Sequence, residues 1–595
     1  MKTGIFKVGK SDWSKNTVDG IYPIVDSHTH KFLHNDTVNY NLNPDGTATI
    51  LSLNSPSSEY RTAKIPLIIN ITALKRYGYT KKNVPIYLGE TWSKHLPKMF
   101  VSTKIKRRLK PPYNNQLAIV KFQEWTKEYP KAKVLSILGD CNNDEVTYKY
   151  LVYCHNLSNK KTKIPSEISF NIDKFDLSGY IDKTSAKVFS IDPPGTLDID
   201  DAVEIKSLSP DKYQVTVFIA DPTALITYYN NSDFNNSIIK KLQTVYTPGR
   251  NYPMIPEKFS NDLCSLLPNK KRLALSLTFL VGLDGLIDDK SWKFEKSIIV
   301  NKKAYSYKQA EDIINKSIVK NNDLKILSVL TQNIAQLQFK KLYIKKWDTH
   351  KMIEVLMVLT NQYAARFIKN NKTPIKPIYR YHEDSGIKPP DDVSEDVLSN
   401  IKFIGMTSAK YTMDSTRDLS HYGLGIEDYT HFTSPIRRFT DVFSHFIIKN
   451  IIYDDPIPKE FYFKDLNKFI KTLNDNNTNS KRLSLDIDRI AINNKISILP
   501  EKMLKTQVCV LDFWDEGLVL YSEEINMRFY HRLVNESLDD LYKVNISEDK
   551  STINVVELKT ENIITNIKKY EMIWVELYSV KHDNIKFRLV SKLLN

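Results

Sequence analysis

Cysteine is scarce in this chain, with four residues in 595. They are scattered along the sequence and none belongs to a Cys-x-x-Cys pair; the four are Cys141, Cys154, Cys264 and Cys509. A structural zinc site or a disulfide framework needs cysteines at short, regular spacing. The sequence therefore argues against both and indicates reducing surroundings.

Long apolar runs are also missing. The longest, Leu273 to Leu283, has 11 residues and is interrupted by Ser276 and Thr278, whereas a membrane-spanning helix needs about 20 apolar residues. The N-terminus has no apolar core of the kind that signal peptides contain. We therefore expect a soluble protein of the cytosol, with the nucleus as the alternative, and no membrane partner.

Positive charge is the unusual feature of the composition. Hydrophobic residues at 41% and charged residues at 26% are ordinary, but the net charge is +16 and the pI is near 9.2. This charge favours a polyanionic partner, nucleic acid first and an anionic membrane second. A lysine-rich drift in composition would explain the same charge without a partner. The basic run from Lys104 to Lys110 fits a phosphate-tracking loop and a solvated loop equally.

The patterning predicts several domains of mixed α and β structure. Residues 1–160 are rich in short strand-like segments, and two small barrels of the OB type fit this length. From about residue 305 to about residue 500 apolar residues recur at helical spacing, for example from Met352 to Phe367. The last 90 residues return to strand-like segments and predict a third small barrel.

Four aspartates lie within residues 190–202, and a Pro193-Pro194-Gly195 turn separates the first from the others. Two ionised carboxylates about 4 Å apart repel by roughly 4 kcal/mol at an effective dielectric of about 20. Such a cluster either titrates in part or binds hard cations, and its oxygen ligands suit magnesium or manganese. A surface turn or a structural calcium loop is the alternative. The aspartates are Asp192, Asp198, Asp200 and Asp201.

A second constellation is the run Ser434-Pro435-Ile436-Arg437-Arg438. The Ser-Pro step predicts the start of a helix whose first turn holds both arginines. Two cations are unfavourable at the positive end of a helix dipole, so we infer that a phosphate binds there. An ion pair between Asp441 and either Arg437 or Arg438 is the alternative.

With both stretches in view, the chain resembles the ribonuclease II/R (RNB) family of exoribonucleases. The run Asp-Pro-Pro-Gly-Thr-Leu-Asp-Ile-Asp-Asp-Ala is most similar to the eukaryotic exosome branch of that family. Further similar motifs extend over essentially the whole chain; they lie at residues 32–38, 135–139, 217–221, 245–250, 253–256, 260–266, 352–354, 379–383 and 421–424.

The resemblance implies an α+β multidomain fold with defined boundaries. These are two cold-shock OB barrels at residues 1–62 and 63–160, a central α/β RNB catalytic domain at residues 161–502, and a C-terminal OB-fold RNA-binding barrel at residues 503–595.

The implied activity is processive 3′-to-5′ hydrolysis of single-stranded RNA to nucleoside 5′-monophosphates. The four aspartates would hold magnesium, or manganese, at the scissile phosphate for in-line attack by water. One ion would lower the pKa of the water and another would stabilise the leaving 3′-oxygen. Asp201 is the carboxylate whose loss is expected to harm the chemistry most, and Arg437 would bind the phosphate in the transition state.

The same resemblance matches four residues to RNA binding. Tyr246 corresponds to an aromatic residue that stacks on bases, Tyr307 to a tyrosine near the ribose, and Glu354 to a carboxylate that orients the ribose. Arg438 would support the helix that carries Arg437. Ordinary packing or surface charge is the alternative explanation for Tyr246, Tyr307 and Glu354.

The chain departs from the family pattern in three places. Asp488-Arg489 stands where a Glu-Arg pair is common in the family, so the carboxylate side chain is one methylene shorter. Between Leu337 and Met352 it lacks a strand-rich segment that often brings a second aromatic ring to the RNA channel, so a two-sided base clamp is not expected unless Trp347 supplies that ring. The cold-shock-like region starts almost at residue 1, so the N-terminal nuclease domain of the exosome enzyme is not expected. Association with an exosome is therefore not implied, and a monomer is expected.

Two other functions are compatible with parts of the sequence. The Asp26-Ser27-His28-Thr29-His30 motif is typical of metal-dependent amidohydrolases, but the eight strand–helix repeats of their barrel are missing from the pattern. The stronger rival is a catalytically inactive RNB scaffold that binds RNA. Such a protein is expected to lose acidic ligands, whereas this chain keeps all four aspartates and Arg437.

Overall fold

The structure of the chain is a computed structural model. It describes residues 1–9, 15–25, 31–71, 77–104, 114–158, 162–163, 170–316, 322–339, 347–384, 408–514, 517–534, 541–579 and 589–593. The Asp26–His30 motif and the basic run beyond Lys104 lie outside the described residues.

The chain divides into two compact units. One comprises Met1–Asn159, Thr247–Arg250 and Asn479–Asn595, and the other comprises Lys160–Tyr246 and Asn251–Thr478. The second unit contains the four aspartates, Tyr246, Tyr307, Glu354 and the two arginines. The four domain boundaries drawn from the sequence stay predictions.

The first unit begins with a sheet. Its described strands are β1 (Lys2–Lys7), β2 (Thr17–Val18), β3 (Tyr22–Pro23), β4 (Thr37–Leu42) and β5 (Ala48–Ser55). They pair in the order β3-β2-β1-β4-β5. Alternate residues such as Val38 and Tyr40 point into the core, as the period of two along a strand requires.

A closed barrel follows in the same unit. Its elements are α1 (Glu59–Thr62), β6 (Ile65–Ile69), β7 (Ile86–Thr91), β8 (Met99–Ser102), β9 (Gln116–Glu124), β10 (Lys131–Asp140) and α2 (Asp144–Cys154). The barrel closes because β10 pairs antiparallel with β9 and parallel with β8. Apolar side chains including Leu67, Met99 and Val120 fill it. A small barrel is what the sequence predicts here, while its OB classification stays a prediction.

The C-terminal strands of the first unit are arranged in two described sheets. The strands are β20 (Met503–Trp514), β21 (Gly517–Ser522), β22 (Met527–Arg532), β23 (Tyr542–Ile546), β24 (Thr552–Glu557), β25 (Ile563–Lys568), β26 (Met572–Ser579) and β27 (Leu589–Leu593). One sheet has the order β22-β21-β20-β26-β27 and the other β23-β24-β25. The predicted return to strands is confirmed, and the single OB-type barrel stays a prediction.

A second closed barrel lies at the centre of the second unit. Its strands are β11 (Tyr180–Asp192), β12 (Asp201–Ser209), β13 (Lys212–Ala220), β16 (Lys271–Gly282) and β17 (Lys293–Ser306). They pair in this order, and parallel pairing of β11 with β17 closes the ring. The chain between β13 and β16 forms α3 (Pro222–Tyr229), α4 (Ser232–Lys241), β14 (Val245–Thr247), β15 (Arg250–Tyr252) and a π-helical turn (Phe259–Leu263).

Helices dominate the chain after this barrel, as the apolar spacing predicts. They are α5 (Tyr307–Lys316), α6 (Asp323–Gln338), α7 (Thr349–Lys369), α8 (Phe439–Tyr453) and α9 (Leu466–Ser497), with a short β18 (Tyr379–Tyr381) and β19 (Lys410–Thr412) between α7 and α8. Asp348 caps α7 by accepting a hydrogen bond from the Lys351 amide. The α7 residues Met352, Leu356 and Leu359 are buried against the barrel core.

Single helical turns also occur at Ile172–Lys174, Lys459–Phe461 and Pro500–Lys502. Among the described residues, no helix combines the length and the apolar character needed to cross a bilayer.

Candidate active site

Two of the four aspartates lie at strand ends of the second barrel. Asp192 is the last residue of β11 and Asp201 is the first residue of β12. These strands pair through Phe189 and Val203, a register that brings their Asp-bearing ends to the same side. On the other side of β11, Asp192 pairs with Ser306 of β17. Tyr307, the next residue, is thereby placed beside the aspartates.

The loop between β11 and β12 holds the other two aspartates. The Thr196 amide donates to the Pro193 carbonyl at 3.2 Å, and Gly195 has a φ of 80°, which favours glycine at this turn position. The predicted turn is therefore confirmed. Further on, Ile199 donates to Ser265 Oγ at 2.9 Å and accepts from the Leu266 amide at 3.0 Å. This pairing fixes the backbone between Asp198 and Asp200.

Asp200 binds the segment that carries the two arginines. Its Oδ1 accepts from the Ile436 amide at 2.9 Å, and its Oδ2 accepts from Arg437 Nε at 3.1 Å. Its side chain is only 4% exposed, whereas that of Arg437 is 47% exposed. The amide and guanidinium donors expected to meet a phosphate are thus in part taken by an internal carboxylate.

The predicted helix start is wrong. Helix α8 begins at Phe439, so Arg437 and Arg438 precede it and do not lie in its first turn. Arg438 is extended and pairs with Gln243, and the Phe439 amide donates to the Leu242 carbonyl. The Ser434 carbonyl still accepts from the Arg438 amide at 3.0 Å, as in a single helical turn, but the turn does not continue into α8 because the Phe439 amide donates to Leu242 and not to Pro435.

Asp441 explains why the turn before α8 takes this form. The carboxylate is fully buried and its Oδ1 accepts from the Ser434 amide and from Arg438 Nη2, each at 2.7 Å. The alternative of an ion pair between Asp441 and one arginine is therefore confirmed, and the arginine is Arg438. Arg437 keeps its guanidinium for Asp200 and for the Ser434 hydroxyl at 3.2 Å. The RNA-binding role of Arg438 stays a prediction.

The cluster contains three buried carboxylates, and Arg437 is the cation that pairs with one of them. Burial raises the pKa of Asp192 to about 6, with a smaller contribution from Asp198. Burial also raises the pKa of Asp200 to about 7, although Arg437 opposes the shift. The pKa of Asp201 lies well above its usual value because of burial first, and then because of Asp192 and Asp200. Shifts of this kind are typical of functional sites.

The donor set fits a hard divalent cation. Oδ2 of Asp192 is buried without a hydrogen-bond partner, and buried carboxylate oxygens of this kind need a cation or a donor. In the conformation seen, no three Asp, Glu, His or Cys side chains of the described residues are grouped for one metal ion. Asp200 already uses both oxygens, so Asp192 and Asp201 are the better placed ligands. The metal role of all four aspartates stays a prediction.

Tyr246 joins the cluster through its hydroxyl, which donates to Asp198 Oδ2 at 2.9 Å. Burial and the Asp198 charge raise the pKa of this phenol, so it remains protonated. The residue is 43% exposed. It borders a groove of about 430 Å³ whose lining includes Leu197, Asp198, Asn251, Glu257 and Asn261. An exposed ring beside an open groove has the access that base stacking needs.

Tyr307 lies close to Asp201 and Asp192. Burial raises the pKa of its phenol to about 12, and Asp201 and Asp192 add to that shift. Its ring stacks on the imidazole of His350, with centroids 3.7 Å apart and planes 19° from parallel. The sequence reasoning missed His350. The available signal was its position four residues before Glu354, which puts both on one face of α7.

Glu354 and Trp347 are each held by a neighbouring side chain. Glu354 accepts from Lys351 Nζ at 2.6 Å on the surface of α7. The Trp347 indole donates to Ser328 Oγ at 3.0 Å and packs against the core. Trp347 is thus engaged in packing and is not presented as a second clamp ring. The ribose contact of Glu354 stays a prediction.

A buried amide holds the backbone just before the arginines. Oδ1 of Asn361 in α7 accepts from the amides of Phe432 and Thr433 at 2.8 and 3.2 Å. Its Nδ2 donates to the Tyr429 hydroxyl at 3.0 Å. Helix α7 therefore positions the arginine segment through Asn361, while its first turn carries His350 and Lys351.

The chain is similar to known proteins in sequence and in fold. Residues 180–454 match the model of the RNB domain. Ribonuclease R of Buchnera aphidicola subsp. Acyrthosiphon pisum is 27% identical over 354 residues, which are 49% of this chain and 47% of that protein. The chain spans about half the length of the first curated relatives it matches.

Two solved structures show the same fold. Mycoplasma genitalium RNase R in complex with ribose-methylated single-stranded RNA has a TM-score of 0.76 at 19% identity, with all of both chains covered. Yeast Ssd1, a pseudonuclease, has a TM-score of 0.69 at 14% identity, covering 100% of this chain and 96% of that one. The fold is thus RNase R-like, multidomain and of mixed α and β content with barrel-like sheets. The chain thus contains an RNB domain, and it is similar in sequence to ribonuclease R proteins.

Proposed function

We propose that this protein is a processive 3′-to-5′ exoribonuclease that hydrolyses single-stranded RNA to nucleoside 5′-monophosphates. The observation that carries the proposal is the meeting of Asp192, Asp201 and the Asp200–Arg437 pair at one end of the second barrel. A phosphodiester has negative oxygens that an arginine binds and a leaving oxygen that a cation stabilises. This end of the barrel offers ligands for both.

Asp192 and Asp201 are proposed as the principal ligands of magnesium or manganese, with Asp198 beside them. Their raised pKa values reflect charge that burial penalises and that a divalent ion would offset. When bound, such an ion lowers the pKa of a water and stabilises charge on the leaving 3′-oxygen. Asp200 serves the site differently, because its oxygens hold Ile436 and Arg437 in place.

Arg437 is proposed to bind the scissile phosphate as charge develops in the transition state. Burial lowers the pKa of its guanidinium, but Asp200 more than compensates, so the pKa is raised and the charge is permanent. Its exposed part is free to approach an RNA phosphate while Nε stays with Asp200. A fixed donor of this kind stabilises the transition state without reorganisation.

The tyrosines are proposed to bind the nucleotide on either side of that phosphate. Tyr246 presents an exposed ring for stacking, a contact that tolerates any base. The protonated hydroxyl of Tyr307 lies near Asp192 and Asp201 and can hydrogen-bond a ribose 2′-hydroxyl. The related M. genitalium RNase R was solved with ribose-methylated single-stranded RNA, which supports a single-stranded RNA substrate here.

The direct test is incubation of the protein with a 5′-labelled single-stranded RNA, with magnesium or with a chelator. We expect the full-length strand to give way to one short end product with few intermediates, and nucleoside 5′-monophosphates to accumulate only with magnesium. Internal cuts, nucleoside 3′-monophosphates or equal cleavage under chelation would contradict the proposal. A 3′-phosphorylated RNA of the same sequence serves as a control for attack from the 3′ end.

A catalytically inactive RNA-binding protein is the second candidate. It is favoured by the likeness in fold to Ssd1, a pseudonuclease. That candidate predicts tight binding of single-stranded RNA with no release of mononucleotides under any divalent metal. The retained aspartates and Arg437 favour the enzyme.

A further inference from the structure

We propose that His350 is a positioning residue for Tyr307, and that it thereby contributes to the selection of ribose over deoxyribose at the 3′ end of the substrate. This inference rests on the proposed function of Tyr307. It concerns a residue that the motifs of the active site do not include. The observation behind it is the parallel stack of the two rings, with centroids 3.7 Å apart.

The backbone of Tyr307 is fixed from two directions. Strand β17 pairs with β11 up to Ser306, opposite Asp192. Ser306 and Gln309 then form a capping box at the start of α5, in which the Gln309 amide donates to Ser306 Oγ at 3.2 Å and the Ser306 amide donates to Gln309 Oε1 at 2.8 Å. The Cα position of Tyr307 beside the aspartates is therefore set by main-chain structure.

The backbone of His350 is fixed to the same place. The Thr349 hydroxyl donates to the Tyr307 carbonyl at 3.2 Å, and the Thr349 amide donates to Glu311 Oε2 at 3.1 Å. Asp348 caps the first turn of α7. The start of α7 is thus tied to the start of α5, and the two rings extend from rigid neighbouring points.

The ring plane of Tyr307 still depends on a side-chain neighbour. A phenol has two side-chain torsions, and the second is broad. Stacking against the imidazole restricts both torsions, because aromatic rings prefer offset, near-parallel contact at this separation. The imidazole itself is exposed, so the stack adds little to the core. Its effect is to aim the hydroxyl, which lies within electrostatic reach of Asp201, Asp192 and Arg437.

A hydrogen bond to the 2′-hydroxyl is directional, so its strength depends on where the phenol oxygen lies. Loss of the stack should weaken that bond for a ribose substrate and leave a deoxyribose substrate, which cannot make it, almost unaffected. Loss of the stack should therefore change the ratio of kcat for the ribose substrate to kcat for the deoxyribose substrate. Binding of the remaining strand, which involves other residues, should change little.

The test compares a 5′-labelled single-stranded RNA with the same strand carrying 2′-deoxyribose in its last nucleotides. For His350→Ala we expect the ribose-to-deoxyribose ratio of kcat to fall by about two- to tenfold, with KM little changed and thermal unfolding as in wild type. His350→Phe keeps a stacking ring and should restore most of the ratio. In a Tyr307→Phe background, His350→Ala should have no further effect on the ratio.

A matched control is Lys316→Ala, which truncates an exposed side chain at the last residue of α5 and should leave the ratio at its wild-type value. The inference is overturned if His350→Ala keeps the wild-type ratio. It is equally overturned if His350→Phe behaves like His350→Ala, or if the ratio falls as much in the Tyr307→Phe background.

A binding measurement separates this inference from the proposed activity. In an Asp201→Asn background, the ratio of Kd for the two strands reports ribose selection without turnover. If the wild-type chain released no mononucleotides, the proposed activity would fail. A Kd ratio that depends on His350 would then still support its positioning role, and a ratio that does not would overturn it.

Discussion

Two buried aspartates of the second unit each pair with one cation, but they differ in the number of their hydrogen-bond donors and in the direction of their pKa shifts. Asp221, the N-cap of α3, accepts from four described donors: Lys449 Nζ at 2.8 Å, the Tyr180 hydroxyl at 3.2 Å, the Thr223 amide at 3.1 Å and the Thr223 hydroxyl. Burial opposes its ionisation, but Lys449 and these hydrogen bonds lower its pKa to about 2. Asp200 accepts from Ile436 and Arg437, yet burial raises its pKa to about 7, with a smaller contribution from Asp441.

The comparison separates a structural carboxylate from a functional one. Around Asp221, donors and counter-charge match the buried anion, so the group contributes to stability as it stands. Around Asp200, Asp192 and Asp201, negative charge exceeds the positive charge, and one Asp192 oxygen has no partner. A fold retains such an imbalance where something else completes the site. Substitutions in the two regions should therefore fail in different ways.

The largest expected effect is on catalysis by Asp201→Asn. The amide keeps the size of the side chain but removes a ligand charge, so mononucleotide release should fall on the order of 10³-fold or more. RNA affinity should stay near wild type and stability should hold or increase, because a disfavoured buried charge is lost. Release rates, Kd and thermal unfolding of the same preparation measure the three quantities. An equal loss of affinity and turnover would assign Asp201 a structural role.

Lys449→Met should have the opposite effect, a large loss of stability that does not originate in the catalytic cluster. It leaves Asp221 buried without its ammonium partner, and breaking a buried pair in this way costs about 3–5 kcal/mol of unfolding free energy. The double variant Asp221→Asn/Lys449→Met should recover most of the loss, since asparagine is also a good N-cap. Urea denaturation measures the unfolding free energy of both variants.

The control is Lys471→Met, which removes one partner of an exposed pair with Asp475 and should cost less than about 1 kcal/mol of unfolding free energy. Equal costs for Lys449→Met and Lys471→Met would remove the distinction between the regions.

Arg437→Ala tests the cation on the functional side. Loss of one transition-state donor should reduce kcat by about 10²- to 10³-fold, with a modest change in RNA affinity. The variant Arg482→Ala removes an exposed guanidinium from α9 and should leave kcat at the wild-type level, which controls for the change in net charge. Unchanged turnover in Arg437→Ala would exclude this arginine from the site.

The sequence predicts those parts of the site whose structure is determined by residues close together in the chain. The four aspartates are neighbours in the sequence, and the Pro-Pro-Gly turn is formed by its own residues. The strands and helices follow from the spacing of their buried apolar residues. The resemblance to the RNB family depends on runs of motif residues, and the match of residues 180–454 to the RNB domain confirms it for that part of the chain. Each of these features depends on neighbours a few positions away.

The features that sequence reasoning missed depend on distant partners. The Ser434-Pro435 step has good capping statistics, yet the pull of the buried Asp441 carboxylate and pairing of Arg438 with Gln243 move the helix start to Phe439. The Asp200–Arg437 pair spans 237 positions and the Asp221–Lys449 pair 228. No periodicity or turn propensity reports contacts of that range. The stack of Tyr307 on His350 belongs to the same class.

The smallest expected effect is on the acid side of the stability profile. The pKa of Asp221 is about 2 in the folded chain against an ordinary value of 3.8, so its ionisation favours folding. That stabilisation, about 2 kcal/mol, is complete above pH 4 and is lost as the pH falls toward 2. The Asp221→Asn/Lys449→Met variant lacks it, so its stability should approach that of wild type as the pH is lowered from 5 to 2.5. Chemical denaturation at steps of pH gives the difference between the two, from which carboxylates that do not contact Lys449 cancel; Asp455, 3.7 Å from Lys449 Nζ, is the exception. A difference independent of pH would mean that Lys449 does not hold Asp221 ionised, and the contrast with Asp200 would then have no electrostatic basis.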